Sequence, residues 1–417
     1  MGKRPLEDRL AIYSIIIFCI LAVLTVGAFV QAKQTTQPKE FNIGIDYRVL
    51  YTAGKSALAG NASQIYDTPS QNEMIQQNMG LKIPDEMHWF YPPTLLLAIV
   101  SLLSALPFDA SYFIWLTITL ALAVLGCRAM LPKKSNLSLL VLSFPAVIHN
   151  LRWGQNGFLS TALLAAGIGL METNPVLSGL MFGLLTYKTW LAVFPLLILL
   201  LTRKWKVFGW SAFFTVMTAL LSLAAYGAET WQAFFDQLSH VGTTVFTSIW
   251  ETSAAIQPTL MTALRLFGVN GVPLYVMLAL VGVATAAVVV KIFRLTDRLA
   301  LRGSAMVLGI FAVIPYFIEY DLMLLCIPVI LLIYDCMQEG CGIKDYLAIG
   351  LLWLMPLYNL QLVKATRVQI CPFVAIALLV YVFLRARKST IRAQDFQRLR
   401  LDPIASVPTA GESGEQA

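Results

Sequence analysis

Long apolar segments, separated by a few polar residues or by Gly and Pro, recur along almost the whole chain. A helix needs about 20 predominantly apolar residues to cross the hydrocarbon core of a bilayer. Residues 11–30, 113–130 and 272–292 reach that length. Because backbone groups in lipid must find hydrogen bonds within their own segment, such runs form helices. The pattern predicts an all-α polytopic membrane protein.

About twelve transmembrane helices follow from the apolar segments and their breakers. They are predicted at 10–31, 91–106, 109–131, 137–152, 157–171, 176–201, 207–226, 272–293, 303–319, 321–337, 345–360 and 369–385. Two polar segments, 32–90 and 227–256, are predicted to be outer loops of one transmembrane domain over residues 1–388. Residues 389–417 are charged and then rich in Gly, Pro, Ser and Glu, which predicts a disordered cytoplasmic tail.

Composition and charge support a membrane protein and give it an orientation. Hydrophobic residues make up 58% of the chain and charged residues only 13%, against about 25% charged in soluble domains. Basic clusters at segment ends, such as Arg203 and Lys204 or Arg298 and Arg302, are typical of cytoplasmic loops and not of nucleic-acid binding. Both termini are therefore predicted to be cytoplasmic.

Some features fit that arrangement less well or carry no chemistry. It places four cations on the outer side, Lys133, Lys134, Lys364 and Arg367, so the spans between 91 and 171 are the most open to revision. The start Met1-Gly-Lys-Arg, with no cleavage motif after the first apolar run, predicts a retained helix. The six cysteines lack metal-site spacing and are predicted to be packing residues. We expect neither a metal nor a cofactor.

Asp46 is the first candidate for chemistry. Apolar positions spaced by three and four predict a short interfacial helix that begins near residue 45 and stops at Gly60-Asn61. Asp46 would then be the helix N-cap, a general base for an acceptor hydroxyl, or both. Tyr47 and Arg48 follow it directly and are candidates for substrate contact.

Further polar residues interrupt the apolar segments near the same predicted face. His88 and Tyr91, before the second span, either anchor the interface or contact substrate. Arg152 and Gln155 belong to a polar break that is either a tight turn or part of a site.

The last candidates are charges inside apolar sequence, where they are costly. Lys188, in the middle of the 176–201 span, would snorkel, pair with a carboxylate or bind a lipid phosphate. Glu319, Tyr320 and Asp321 interrupt two late spans and either line a cleft or form a solvated turn.

Taken in order, these motifs resemble a known family. They are Asp46-Tyr47, Tyr51-x-Ala53-Gly54, Leu58-x-Gly60, Tyr66-Asp67, Tyr91-Pro92-Pro93, Gly154-Gln155-x-Gly157, Ser178-Gly179-Leu180 with Lys188, and Pro315 with Tyr320-Asp321-Leu322. The set resembles glycosyltransferase family 87, bacterial GT-C enzymes related to polyprenol-phosphate-mannose-dependent mannosyltransferases. The resemblance spans roughly residues 10 to 385.

The resemblance implies a GT-C-like bundle in the bacterial cytoplasmic membrane. It implies that a hexose moves from a polyprenyl phosphate to a lipid or glycan acceptor outside the membrane, with inversion. Asp46 matches the family's catalytic aspartate in the first outer loop. The chain departs from mannosyltransferase members at Glu319-Tyr320-Asp321, where those often have histidines, and at Lys188-Thr189-Trp190, where many relatives have Lys-Pro. Mannose is thus one candidate hexose.

The hypothesis is a direct displacement in which Asp46 deprotonates the acceptor hydroxyl. Lys188, and Arg48 or Arg152, would offset the charge of the departing phosphate. Two alternatives stay open: a transporter or lipid flippase that uses the buried charges in its pathway, and a polysaccharide ligase or polymerase with a diphosphate-linked donor.

Overall fold

The computed structural model describes residues 6–34, 44–79, 89–97, 99–240 and 254–401, and these contain helices and no strand. The first eight helices are α1 (Leu6–Gln34), α2 (Ile45–Leu58), α3 (Thr68–Met79), α4 (Ile99–Ser104), α5 (Phe108–Ala129), α6 (Val147–Trp153), α7 (Gly157–Leu170) and α8 (Pro175–Leu184). The others are α9 (Thr189–Leu201), α10 (Trp205–His240), α11 (Leu260–Leu266), α12 (Gly271–Leu295), α13 (Leu299–Val313), α14 (Cys326–Glu339), α15 (Ile343–Thr366) and α16 (Cys371–Leu401). Short 3₁₀ helices lie at Ala62–Tyr66, Pro93–Leu96, Leu137–Ser143, Leu185–Lys188, Ala254–Ile256 and Glu319–Leu325.

By length and apolar composition alone, seven helical segments of the described residues could cross a membrane, and α7 and α13 are shorter apolar helices. One of the seven, Pro175–Leu201, combines α8 and α9, which turn at Lys188. Many of their apolar side chains face outward, for example Val23 and Leu24 on α1 and Val283 on α12. Such a surface suits lipid and not water. An all-helical polytopic membrane protein is thus confirmed, whereas the total of twelve helices stays a prediction.

The predicted span 91–106 is wrong. Its described part consists of the 3₁₀ turn Pro93–Leu96 and the six-residue helix α4, which rises only about 9 Å. The loss of this span explains the misplaced charges at Lys133 and Lys134. Asn136 donates hydrogen bonds to Glu7 and Asp8 at 3.1 Å, so this turn lies beside the beginning of α1.

The predicted span 176–201 is two helices that run in opposite directions. Gly179 packs against Trp210, and Gly183 against Phe214, so α8 and α10 are parallel. The chain therefore runs out along α8 and returns along α9 before α10 begins. The turn between them is Lys188, whose φ of −117° and ψ of 72° are not helical. Lys188 thus lies at a turn and not in mid-span.

This arrangement defines two ends of the bundle. At the Glu172 end, Lys204 forms an ion pair with Glu172 and so fixes the loops before α8 and before α10 side by side. At the opposite end, which we call the Asp46 end, lie the turn at Lys188 and the helix α2. Chemistry-bearing residues gather at the Asp46 end.

The two segments predicted to be outer loops contain α-helices. The predicted short helix at Asp46 is α2, and α3 follows it in the same loop. Helix α2 ends at Leu58, two residues before Gly60, whose φ is +80°. In the second loop, α10 continues past a kink at Gly227 as far as His240.

The predicted tail begins at residue 389, but α16 is helical to Leu401. Helix α16 therefore extends into the predicted tail. Residues 402–417 lie outside the described residues, and their disorder stays a prediction.

Candidate active site

Asp46 is held by a partner from another part of the chain. The N-cap of α2 is Gly44, not Asp46, and it has a φ of +67°, a backbone conformation that favours glycine. The Gly44 N–H donates to the carbonyl of Arg152 at 2.7 Å. Asp46 Oδ2 instead accepts a hydrogen bond of 3.0 Å from Gln155 Nε2. The capping interpretation of Asp46 is wrong, and its carboxylate faces the turn between α6 and α7.

The surroundings of Asp46 suit a general base. The residue is only partly exposed, and this burial raises the pKa of Asp46 from 3.8 to about 7, while the Gln155 hydrogen bond opposes the rise. A base is most effective when its pKa lies near the working pH. A carboxyl with a raised pKa is a stronger base than an ordinary aspartate once it is ionised, which suits the acceptance of a proton.

The two glycines of Gly154-Gln155-x-Gly157 allow this approach. Gly154 has a φ of +72°, and a Cβ there would lie 2.5 Å from Cβ of Tyr47. A Cβ on Gly157 would lie 2.5 Å from the carbonyl oxygen of Tyr320. Both distances are shorter than side chains tolerate, so only glycine lets the turn pack between α2 and the Tyr320 segment. The segment is a tight turn, and it also packs between α2 and the Tyr320 segment.

Lys188 forms a buried ion pair with Asp321. Its Nζ donates to Asp321 Oδ1 at 2.5 Å and to Asn156 Oδ1 at 3.0 Å. It also lies 4.9 Å from the centre of the Tyr320 ring. Lys188 is 0% exposed and Asp321 1%, so of the roles expected for Lys188 the geometry matches pairing with a carboxylate.

Asn156 was not among the predicted site residues. It directly follows Gln155, and its backbone N–H donates to Gln155 Oε1 at 3.2 Å. Adjacent residues of one turn thus touch both Asp46 and Lys188. In the sequence, the position of Asn156 directly after the candidate Gln155 was the feature that could have identified it.

An aromatic layer separates this polar cluster from an apolar cavity. Tyr91 lies with its hydroxyl 3.4 Å from Gln155 Oε1, and its ring stacks on Trp190 with centroids 5.8 Å apart. Tyr316 makes an edge-to-face contact with Trp190, with ring centroids 5.5 Å apart. Burial, and then the charges of Tyr91, Asp321 and Asp46, raise the pKa of Tyr316. Sequence reasoning did not include Trp190 or Tyr316 among the site residues.

Beyond this layer lies a cavity of about 660 Å³. Apolar and aromatic side chains line most of it, among them Trp190 and Tyr316. Val193, Phe235 and Leu238 also line it and are each more than half exposed. The cavity therefore opens on the outer surface of the bundle, where lipid chains would meet it.

The two carboxylates of the Glu319-Tyr320-Asp321 segment point in different directions. Glu319, Tyr320 and Asp321 lie on a 3₁₀ helix and are all less than 5% exposed, so the solvated-turn interpretation is wrong. Asp321 faces Lys188, whereas Glu319 Oε2 lies 3.9 Å from His149 Nδ1. The expected common cleft for the two carboxylates is therefore wrong as well, because successive side chains on the 3₁₀ helix point to different neighbours.

The other predicted residues are spread around this cluster. Tyr47 is buried and shares a 2.6 Å hydrogen bond with Ser111. Arg48 is buried on α2, whereas the side chain of Arg152 is exposed at the Asp46 end. His88 lies outside the described residues.

One group of potential metal ligands occurs among the described residues, and it lies away from Asp46. Cys336, Cys341 and Asp345 have ligand atoms within 4.8 Å of one another, near the end of α14 that is far from the Lys188 turn. Asp345 already accepts hydrogen bonds from Tyr381 and Arg385.

Comparison with known proteins adds one match. The model of glycosyltransferase family 87 matches residues 89–316, which is more than half of the chain and includes Tyr91, Gln155 and Lys188. Asp46 and Asp321 lie outside that range and join it through the contacts above. No curated protein and no solved structure matches. The chain belongs to glycosyltransferase family 87 and is a membrane glycosyltransferase.

Proposed function

We propose that this glycosyltransferase moves a hexose from a polyprenyl phosphate to a hydroxyl of a lipid or glycan acceptor, with inversion and with Asp46 as general base. The observation that carries the proposal is the position of Asp46. A carboxyl of pKa about 7 lies one aromatic layer away from an apolar cavity that opens on the outer surface of the bundle. A polar group beside an apolar cavity suits a substrate with a polar head and a long apolar chain.

The reaction is a single displacement. Asp46 takes the proton of the acceptor hydroxyl as that oxygen forms a bond to the anomeric carbon. The bond from the anomeric carbon to the phosphate oxygen breaks, and its electron pair leaves with the polyprenyl phosphate. Attack from the face opposite the leaving group inverts the anomeric centre. General-base assistance of this kind contributes about 10²–10⁴ in rate, and positioning of the two substrates contributes further. The scheme needs no metal or cofactor.

The cavity lined by Trp190 and Tyr316 is assigned to the first isoprene units of the donor. Its volume of about 660 Å³ lies within the range of about 300–1,000 Å³ that is usual for small-molecule sites. Val193 lines the cavity and is exposed on the bundle surface, so the isoprene chain would enter the cavity there from the bilayer. The sugar would then lie near Tyr91, whose hydroxyl approaches Gln155.

Lys188 is assigned a positioning role and not a direct contact with phosphate. Its ammonium is fully buried, and Asp321 offsets its charge. Through Asn156 it fixes the turn that carries Gln155. The exposed Arg152 is the better candidate for the departing phosphate, because its carbonyl binds Gly44, two residues before Asp46, and guanidinium groups match phosphate geometry.

The proposed location follows from the donor and the charge pattern. The Asp46 end faces outward from the bacterial cytoplasmic membrane, and both chain termini face the cytoplasm. The partners are then the lipid-linked sugar, an acceptor at the outer surface and the surrounding membrane lipids, without nucleic acid.

Donor competition tests the proposal. Purified protein is incubated with a polyprenyl-phosphate-linked radiolabelled hexose, and transfer to an acceptor glycan and release of polyprenyl phosphate are measured. We expect transfer from the monophosphate donor, with no transfer from a diphosphate-linked or nucleotide-linked hexose. Transfer from the diphosphate donor alone would show a ligase or polymerase. Movement of the donor across sealed vesicles without transfer would show a flippase.

A further inference from the structure

A second cavity lies at the Glu172 end of the bundle and is strongly basic. It has a volume of about 460 Å³, and four cations line it, Arg203, Lys204, Arg294 and Arg302. It is formed where the turn between α9 and α10 meets the end of α12 and the beginning of α13. It is thus built from two pairs of helices that are distant in sequence.

The nearby carboxylates do not balance these cations. Glu172 pairs with both Lys204 and Arg302, and Asp297 pairs with Arg302 at 2.6 Å. Arg203 and Arg294 are exposed, and neither forms an ion pair within the part of the chain that the structure describes. Two positive charges therefore remain at the mouth of the cavity.

Arg302 adds an unused donor deeper in the cavity. Its side chain is mostly buried, its guanidinium lies 5.3 Å from the centre of the Phe293 ring, and its Nε has no hydrogen-bond partner among the described residues. A buried donor without a partner is costly. The cavity lining therefore includes a third arginine whose donors are not all satisfied by the described residues.

Arg203 occupies a backbone position that favours glycine. Its φ is +60°, and the N–H groups of Arg203 and Lys204 close the end of α9 on the carbonyls of Leu200 and Leu199. This is the helix ending in which glycine is usual, because a Cβ makes this backbone conformation unfavourable. An arginine in that place presents its guanidinium at the cavity mouth.

The side chains beside the cavity suit the depth of lipid headgroups, and the cavity lies far from Lys188. Helix α9 has 13 residues and separates Leu201, which lines the cavity, from Lys188 by about 20 Å. Beside it, Trp205 is 58% exposed and Leu201 44%. Exposed Trp at a helix end is typical of the boundary between headgroups and acyl chains.

We propose that this cavity binds the phosphate of an anionic phospholipid from the leaflet at the Glu172 end, apart from the transfer site. Arg203 and Arg294 contact the headgroup phosphate, and the acyl chains lie along the exposed apolar side chains near Leu201. Basic pockets between transmembrane helices bind anionic headgroups in this way. The site does not depend on the transfer reaction.

Native mass spectrometry of the full chain in detergent tests the proposal. The probes are phosphatidylglycerol, phosphatidylcholine and inorganic phosphate, with adduct abundance and thermal stability as readouts. The variants are Arg203→Gly and the double variant Arg203→Gly with Arg294→Gln. The matched control removes two exposed cations from the beginning of α15 and from α16, Lys344→Gln with Arg387→Gln.

We expect phosphatidylglycerol adducts in preference to phosphatidylcholine, and a loss of affinity of about 30-fold in the double variant. Arg203→Gly suits a positive φ, so without lipid its melting temperature should equal or exceed that of the wild type, which separates lost binding from misfolding. Equal loss in the control would show a general charge effect and overturn the site. Equal binding of both lipids, or equal stabilisation by inorganic phosphate, would overturn the lipid assignment.

Discussion

Asp46 and Gln155 lie 109 residues apart in the chain and meet through a hydrogen bond of 3.0 Å. Gln155 lies in the stretch that matches family 87, and Asp46 lies before it. The contact therefore joins the acid of the first outer loop to the family's own turn. Because Oδ2 accepts from Gln155, we expect Oδ1 to receive the proton of the acceptor.

The pKa of Asp46 predicts a pH dependence. Asp46 must be ionised to accept a proton, and its pKa is about 7. The kcat/KM for transfer should therefore rise about tenfold per pH unit below pH 7 and level off above it. Because the Gln155 hydrogen bond lowers this pKa, Gln155→Leu should move the midpoint to higher pH. A flat profile from pH 5 to 8 would exclude Asp46 as the titrating base.

The close packing at Gly157 predicts an effect of one methyl group. In Gly157→Ala the new Cβ would meet the carbonyl of Tyr320 and displace the turn that holds Gln155. We expect a loss of transfer rate of at least about a hundredfold, since small displacements of positioning groups are that costly. The matched control is Gly209→Ala, where nothing outside the surrounding helix backbone lies within 4 Å of the new Cβ. Equal activity of the two variants would contradict the packing argument.

The buried pair of Lys188 and Asp321 predicts a non-additive stability effect. Removal of one partner leaves the other charge buried, which costs about 3–5 kcal/mol. Lys188→Met and Asp321→Leu should each lower the melting temperature in detergent strongly. The double variant should melt above the less stable single variant, because it leaves no unpaired charge. Additive losses in this cycle would show that the two side chains act independently.

The cavity lined by Trp190 and Tyr316, assigned to the isoprene chain of the donor, predicts a change in donor selectivity. Ala219 lines the cavity, so Ala219→Trp would fill space assigned to the isoprene chain. We expect KM to rise for a long-chain donor and to change much less for a donor with one or two isoprene units. Ala212→Trp lies on the same helix outside the cavity lining and is the control. A matching rise of KM for both donors would place the chain elsewhere.

Hydropathy alone predicts most of the helices, because a segment that crosses lipid must be apolar and helical. The prediction of spans from hydropathy was wrong where an apolar segment contains a turn that is buried in the protein. At Lys188 the chain reverses, yet the residues on both sides are apolar because they pack on other helices and on lipid. A window of 20 residues averages over that turn. The span predicted near Pro93 was wrong for a related reason, since a short apolar segment can pack beside α2 without crossing the membrane.

The site was only partly visible in the sequence. Lys188 and Asp321 were candidates because charges within apolar sequence are costly and need a reason. Asp46 was a candidate because it begins a predicted interfacial helix and matches the aspartate of the family that the motifs resemble. Their pairing was not visible, because contacts such as Lys188 with Asp321 join segments 133 residues apart. Trp190 and Tyr316 were missed because aromatic side chains near interfaces usually serve as anchors.

The most direct test of the account is the transfer rate of Asp46→Asn with a polyprenyl-phosphate-linked hexose. Asparagine keeps the size of the side chain but cannot accept the acceptor's proton. We predict that kcat falls by about 10²–10⁴ while the Kd for the donor and the melting temperature stay near wild type. Glu73→Gln, an exposed carboxylate on α3, should keep full activity. An Asp46→Asn enzyme with wild-type kcat would contradict the account.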